Sequence, residues 1–239
     1  MKRVIFSALL TVSALLMLAS SASAASAVNL GTANSFAVLA GAGVTNSGPS
    51  VINGDLGTSP TLAVSGFDGF PSGTVNGALH QGDALANTAK ADLMTAFNSA
   101  AGQNPETTIA TELGNQVLAP GVYVSAAGDF GITGTVTLDA GNDPNAVFIF
   151  KTQSTLISAV GSSVNMINGA QSCNVFWKVG SSATLGAASS FKGNVMANAS
   201  VSVNNAATID GRLLARTGGV TLINDNITIS QCAGSVVAE

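Results

Sequence analysis

The sequence predicts an all-β solenoid of three-sided rungs that carries one helix. Three observations lead there: a repeat of about 18–28 residues from Ala146 to Ile229, punctuation by Gly, Asn and Ser every few residues, and one stretch with a helical period. A unit of that size cannot bury its own apolar face, so a fixed period implies stacking. Four blocks superpose. They open with Val147-Phe-Ile-Phe150, Val175-Phe-Trp177, Val195-Met-Ala197 and Leu213-Leu-Ala215. A second run follows in each: Thr155-Leu-Ile157, Thr184-Leu-Gly186, Ser202-Val-Asn204 and Thr221-Leu-Ile223. A third closes each: Val164-Asn-Met166, Phe191-Lys192, Ile209-Asp210 and Ile227-Thr-Ile229.

At the N-terminus, Lys2 and Arg3 precede an apolar stretch from Val4 to Leu18 and small residues at Ala22-Ser-Ala24 and Ala25-Ser-Ala27. That is the pattern of a secretory signal, residues 1–24, cleaved after Ala24 or Ala27. The protein is expected to be secreted (extracellular or periplasmic), with residues 25–239 as one domain. Beyond Lys2 and Arg3 the chain has six basic against twelve acidic residues, a net charge of −6. Nucleic acid and anionic membrane are disfavoured as partners, because both need a basic patch. The charged fraction is 8%, against roughly 25% in ordinary soluble domains, so the surface must be mostly small, neutral and polar.

Val28 to Leu79 reads as short strands and turns, among them Phe36-Ala-Val-Leu39 and Val51-Ile-Asn-Gly-Asp-Leu56. The period then changes. Leu85, Ala89, Leu93, Ala96, Phe97 and Ala100 line one face of a helix over about 83–100, with Asp83 as cap and Gly102 and Pro105 beyond its end. Strands resume at Gly121-Val-Tyr-Val124 and Thr135-Val-Thr-Leu138. The opening strand of each block is apolar at successive positions, as a strand buried on both faces requires. The helix is its natural cover.

The second strand of each block alternates. Leu156, Leu185, Val203 and Leu222 should point inward. Thr155, Thr184, Ser202 and Thr221 should then point outward at one place per rung, extended by Thr135 and Thr137 and flanked by Ser182, Ser200, Asn204 and Gly186. Ile157 and Ile223 also point out. Such a ladder can order water with mixed methyl and hydroxyl groups, although Thr suits any exposed strand by being β-branched. The third strand offers a second-choice face: Ser163, Asn165, Ser190, Thr208, Asn226 and Thr228, made less uniform by Lys192 and Asp210.

Catalysis finds little support. His80 is the only histidine, no nucleophile elbow is present, and two Cys with one His are too few for a zinc site. Asp129, Asp139 and Asp143 fall in or near turns, the last two leaving room for a weak calcium site. No cofactor or metal is expected. Cys173 and Cys232 form an even pair in an exported chain, which predicts a disulfide; two buried thiols are the alternative.

Asn174-Val-Phe-Trp-Lys-Val-Gly-Ser-Ser-Ala-Thr-Leu-Gly186 resembles the signature rung of the DUF3494 ice-binding proteins. Phe36-Ala-Val-Leu-Ala-Gly41, Leu118-Ala-Pro-Gly-Val-Tyr123, Ala146-Val-Phe-Ile-Phe150 and Gly211-Arg-Leu-Leu-Ala-Arg216 match as well. The resemblance runs from about Val28 to Ile229. It implies a discontinuous, right-handed solenoid of triangular section with a long helix along one face, N-terminal strands stacked on C-terminal rungs, and no metal or cofactor. It further implies a monomer whose partners are the ice crystal surface and its ordered water. The family motif Thr-Ala/Gly-x-Thr/Asn falls here on Asn205-Ala-Ala-Thr208, which departs at its first position. A rival reading gives the scaffold a cell-surface adhesion or glycan-binding role, which would need exposed aromatics; Trp177 and Tyr123 are the only Trp and Tyr.

Overall fold

The computed structural model describes residues 25–69 and 71–233; the expected signal over 1–24 lies outside them. Parallel strands wind into a triangular solenoid with one long helix. Three faces run along its axis. The first stacks Glu106–Ile109, Gly121–Ser125, Phe148–Thr152 and Val175–Val179, then the C-terminal halves of Ser190–Ala197 and Thr208–Ala215, then Phe36–Ala40, Asp55–Thr58 and Leu79–Gln81. The second stacks Phe130–Ile132, Leu156–Ser158, Ala183–Leu185, Val201–Val203, Val220–Ile223, Val44–Ser47 and Val64–Ser65. On the third lie Val117–Leu118, Thr135–Asp139, Ser163–Ile167, the N-terminal halves of Ser190–Ala197 and Thr208–Ala215, then Asn226–Thr228, Val51–Asn53 and Thr74–Val75.

The winding is discontinuous. Val38 pairs with Leu213, Thr45 with Thr221 and Ile52 with Ile227, so the first rung in sequence lies on the last. Arg212 locks this junction. It is 1% exposed, donates to Asn34 O at 2.9 and 2.8 Å and to Asn194 Oδ1 at 2.8 Å, and so joins the N-terminal segment to two C-terminal rungs. Burial lowers its pKa to about 10. The Cys173–Cys232 disulfide ties the end of the described chain to the rung that opens at Val175.

Inside, the rings of Tyr123, Phe150 and Trp177 stack along the axis at 5.4 and 4.1 Å, and Phe191 meets Trp177 at 5.2 Å. Trp177 Nε1 donates to Lys192 O at 3.0 Å, so its one polar atom is satisfied. In Ser190–Ala197 and Thr208–Ala215 the strand rounds the corner between third and first faces without a break. Gly193 and Gly211 turn it with φ of 110° and 156°, and a Cβ at Gly211 would sit 1.9 Å from Gly193 O.

The helix spans Ala84–Gly102, two residues longer than its pattern predicts at the C-terminal end, and Asp83 Oδ1 caps it by accepting Ala86 N at 2.8 Å. Ala89, Leu93, Ala96, Phe97 and Ala100 pack on Val122, Ile149, Phe176, Met196, Leu214 and Leu39, the outward residues of the first face. Leu85 departs from the prediction: it is 39% exposed, and Ala86 takes the contact. Small Ala side chains let helix and sheet approach closely.

Two of the superposed blocks shift by two residues. Trp177, not Val175, pairs with Val195, and Leu156 pairs with Ala183 rather than Leu185. Strand side chains repeat every two residues, so inward and outward sense survives these two shifts while the column changes; the first opening run shifts by one, Phe148 rather than Val147 pairing with Val175.

Candidate functional site

Inward side chains of the second face are buried: Phe130, Leu156, Ala183, Val201, Val220 and Val44 stand in one column, each at most 1% exposed. That fixes what points out. The central outward column reads Gly131, Ile157, Thr184, Ser202, Thr221, Thr45, Ser65. Parallel strands place these about 4.8 Å apart. One flank carries Thr155, Ser182 and Ser200, and Ser200 N donates to Ser182 Oγ at 3.3 Å. The other carries Gly186, Asn204, Ile223 and Ser47. From Gly131 to Ser65 the column has no charge. Beyond its end Glu112 bridges to Gly131, its carboxylate held by Thr133 N and Oγ1 and by Gly114 N.

The hydroxyls of Thr184, Ser202, Thr221, Thr45 and Ser65 make no hydrogen bond to any described residue, which leaves all five open to solvent. The third face differs. Thr135 and Ser163 share a hydrogen bond of 2.7 Å, Asn76 donates to Asn53 at 2.8 Å, and Asn53 donates to Thr228 at 3.0 Å and Asn226 at 3.4 Å. Lys192 lies 3.9 Å from Asp210, which also accepts from Ser172 Oγ at 2.7 Å. Asn168 donates to Asp139 at 2.8 Å. Ser190, Thr208 and Asn165 stand in the same array without such bonds.

Three expectations about the ladder change. Thr135 and Thr137 pair with Ser163 and Asn165, so they belong to the third face and cannot extend the second. Thr155 lies one column aside, because Ile157 is the residue that faces Thr184. Thr45 and Ser65, which the repeat alone does not reach, complete the column. Their Val44-Thr45 and Val64-Ser65 alternation is the same local signal, but only the discontinuous stacking places it there.

Six of the corners between second and third faces hold one residue with positive φ each: Gly134, Gly161, Ala188, Ala206, Asn224 and Gly48. Ala206, the second position of Asn205-Ala-Ala-Thr208, holds φ of 64°, a conformation that suits Gly and that Ala adopts only with strain. Asp225, 2% exposed, braces this corner by accepting Ala207 N at 2.9 Å and Ile223 N at 2.7 Å. Burial pushes its pKa up to about 6 against the pull of those two N–H groups.

The remaining chemical candidates are occupied by structural tasks. His80 Nδ1 lies 2.6 Å from the helix-capping Asp83, and hydrogen bonds from Ala86 N and from His80 hold that carboxyl below its ordinary pKa. Asp139 accepts Gly141 N and Asp143 accepts Asn145 N, each across a turn. Among the described residues no three His, Cys, Asp or Glu gather as a metal site, and no helix is long and apolar enough to cross a membrane. Trp177 and Tyr123 are buried inside the solenoid, 1% and 7% exposed, so neither offers a ring to a glycan.

Comparison with known proteins agrees with this architecture. An ice-binding protein of Nostoc sp. (strain HG1) is 43% identical over 209 residues, covering 87% of this chain and 76% of the relative. The crystal structure of an ice-binding protein from an Antarctic biological consortium superposes with a TM-score of 0.83 at 42% identity, over 87% of this chain and 93% of the other. That of the Antarctic ascomycete Antarctomyces psychrotrophicus gives 0.81 at 39%, over 86% and 100%. The model of the ice-binding-like family matches residues 38–228, and the chain belongs to that family.

Proposed function

We propose that this is an exported protein that binds ice through its second face and acts without chemistry, by adsorption. The observation that carries the reading is the column Thr184, Ser202, Thr221, Thr45, Ser65: five hydroxyls without hydrogen-bond partners among the described residues, at the solenoid's own repeat, on a stretch without charge. Thr methyls and hydroxyls together hold a layer of water in register with the backbone. When that layer merges with a crystal, growth continues only as curved fronts between adsorbed molecules, which lowers the local freezing point. The solenoid supplies flatness and rigidity, and the helix stiffens the first face away from the ice. A signal-like N-terminus supports export, as does the disulfide.

A bulky ring should act by standing off the lattice. Thr184→Tyr and Ser202→Tyr are expected to remove most thermal hysteresis while shifting stability by no more than about 0.5 kcal/mol, and Thr208→Tyr on the third face should cost far less. Ice-crystal morphology in a nanolitre osmometer, with melting curves alongside, reads all three. If Thr208→Tyr is the damaging change, the third face binds ice; if none matters, this family member does not bind ice through a solenoid face.

A further inference from the structure

Six basic residues lie among the described residues, and they are not spread evenly. Lys192 is on the third face near Asp210, and Arg212 is sealed in the junction. The other four, Lys90, Lys151, Lys178 and Arg216, follow the edge where the helix meets the ends of the first-face strands. Lys151 and Lys178 are register partners on neighbouring rungs, and Arg216 stands two rungs beyond Lys178. The row thus spans three rung spacings, about 14 Å. Lys151 is neutralised by Glu106. Lys90, Lys178 and Arg216 have no carboxylate within 4.0 Å among the described residues.

Two of the four also fasten the helix. Lys90 Nζ donates to Ala215 O and Arg216 O, and Lys151 Nζ donates to Ala101 O and Gln103 O. The side chains of Lys178 and Arg216 touch the helix only through Phe97, and each also donates to the solenoid, Lys178 Nζ to Thr152 O at 3.3 Å and Arg216 Nη1 to Asn198 Oδ1 at 2.8 Å. Both sit over the ring of Phe97, at 4.8 and 4.5 Å from its centroid, so the two charges are within about 9 Å of each other. A cavity opens at each end of the row. One, of about 220 Å³, is lined by Lys151, its partner Glu106 and Lys178 with Ser125, Thr152 and Gln153; the other, of about 250 Å³, by Lys90 and Arg216 with Ser59 and Thr217 and no carboxylate.

We propose that this seam is a binding site for an acidic polysaccharide. Half-buried cations without counter-charges repel one another, and an incoming carboxylate or sulfate would relieve that repulsion. The pKa directions agree: burial, then the charges of Lys151 and Arg216, lowers Lys178, and burial, then Arg216, lowers Lys90 to about 8. A repeating acid fits better than a single small anion, because the cations form a row at multiples of the rung spacing with a recess at either end. The arginine fork and the hydroxyls and amides of the lining residues can meet both acid and sugar groups. A nucleic acid would cover more of a chain whose net charge beyond Arg3 is −6, and would meet repulsion there. The seam lies at the corner beside the second face, not on it, so a polymer held here leaves the hydroxyl column uncovered.

Affinity electrophoresis and calorimetry of the mature protein at low ionic strength test this, with polygalacturonate as probe, and fully methyl-esterified polygalacturonate and dextran as controls. Binding is expected to polygalacturonate alone, weakening steeply with added salt. Lys178→Gln with Arg216→Gln should weaken it by about tenfold or more, with thermal hysteresis unchanged. Should that pair fail to fold, Lys178→Gln alone and the esterified polymer decide the same point. No binding at low salt, equal binding of esterified and free polymer, or an undiminished affinity in a folded double variant would each overturn the proposal, whatever becomes of ice binding.

Discussion

The second and third faces use the same short polar side chains on the same rung spacing of about 4.8 Å. They differ in where the hydrogen bonds go. On the third, Asn53 joins Asn76 and Thr228, Thr135 joins Ser163, and Lys192 approaches Asp210. On the second, the five central hydroxyls have no hydrogen-bond partner among the described residues. A polar surface that satisfies itself has less to offer an ordered water lattice, and one that carries charge holds water in its own geometry. A Thr-rich strand is therefore no more than a candidate. Accounting for each hydroxyl separates a face whose hydroxyls are open from one that satisfies itself.

The sharpest way to break this comparison uses the part of the column built from the other end of the chain. Thr45→Tyr should remove most thermal hysteresis, as Thr184→Tyr does, because Thr45 pairs with Thr221 in the same column. Val51→Tyr, only six positions on but outward on the third face beside Asn226, should leave most of it. Equal losses would mean that the two faces bind together. Melting temperatures close to the parent would show that neither change acts through folding.

Acid separates the faces differently. The pKa of Asp225 is near 6 in the folded protein against an ordinary 3.8, so the native state holds this proton more tightly than the unfolded chain. Its contribution is therefore fully present below pH 3.8 and lost as pH rises through 6. Lowering the pH from 7 to about 4 should raise stability by up to about 3 kcal/mol through this group. Asp83, Asp92, Glu112 and Asp139, whose pKa values are lowered, begin to oppose it as pH falls below about 5. Chemical denaturation at pH 4 to 8 should show the rise, and Asp225→Asn should abolish it. Thermal hysteresis should stay flat across that window, because no group in the column from Gly131 to Ser65 ionises. A pH-dependent hysteresis would point instead to the face that carries Lys192 and Asp210.

Much of this was legible in the residues, and the exceptions share a cause. Alternation within a strand told inside from outside for Leu185, Val203 and Leu222, and the helix followed from its Ala and Leu spacing. Register between rungs was harder. Nothing in Thr155-Leu156 against Thr184-Leu185 reveals a two-residue shift, because alternation is satisfied either way. Thr135-Val-Thr-Leu138 alternates like a second-face strand, yet Phe130-Gly-Ile132 had already filled that place in its rung. Thr45 and Ser65 needed knowledge of what stacks on the last rung, which is a long-range fact. Hydrogen-bond partners between faces are likewise set by register and were beyond any pattern.

Ile157 gives a smaller test that could sharpen the comparison by gain rather than loss. It stands in the central column beside Thr184 and is 51% exposed, so the hydroxyl series ends there. Ile157→Thr would carry the series one rung further at little cost, since the side chain remains β-branched. A modest rise in thermal hysteresis, well under twofold for one added rung among five, is the expected outcome at constant stability. Asn165→Thr on the third face should give none. A fall in activity for Ile157→Thr would mean that its apolar surface contributes more than the hydroxyl does.

The least change is expected at the corner that the two faces share. Ala188 and Ala206 hold φ of 54° and 64°, in the left-handed region where a Cβ crowds the following carbonyl, at roughly 1–2 kcal/mol per residue. Gly134, Gly161 and Gly48 occupy the same corner in other rungs without that strain. Replacing Ala206 by Gly relieves the strain but widens the unfolded ensemble, which takes back roughly 0.5–1 kcal/mol. The net gain should be about 0.5 kcal/mol, visible as a small rise in melting temperature. Ala206 is exposed and flanks both Asn204 and Thr208, so the variant also asks whether the corner belongs to the ice face. If ice binding lies wholly on the second face, Ala206→Gly should leave thermal hysteresis untouched while it stabilises the fold. A loss of hysteresis in the more stable variant would extend the binding surface around the corner to Thr208, and the contrast between the faces would become a gradient.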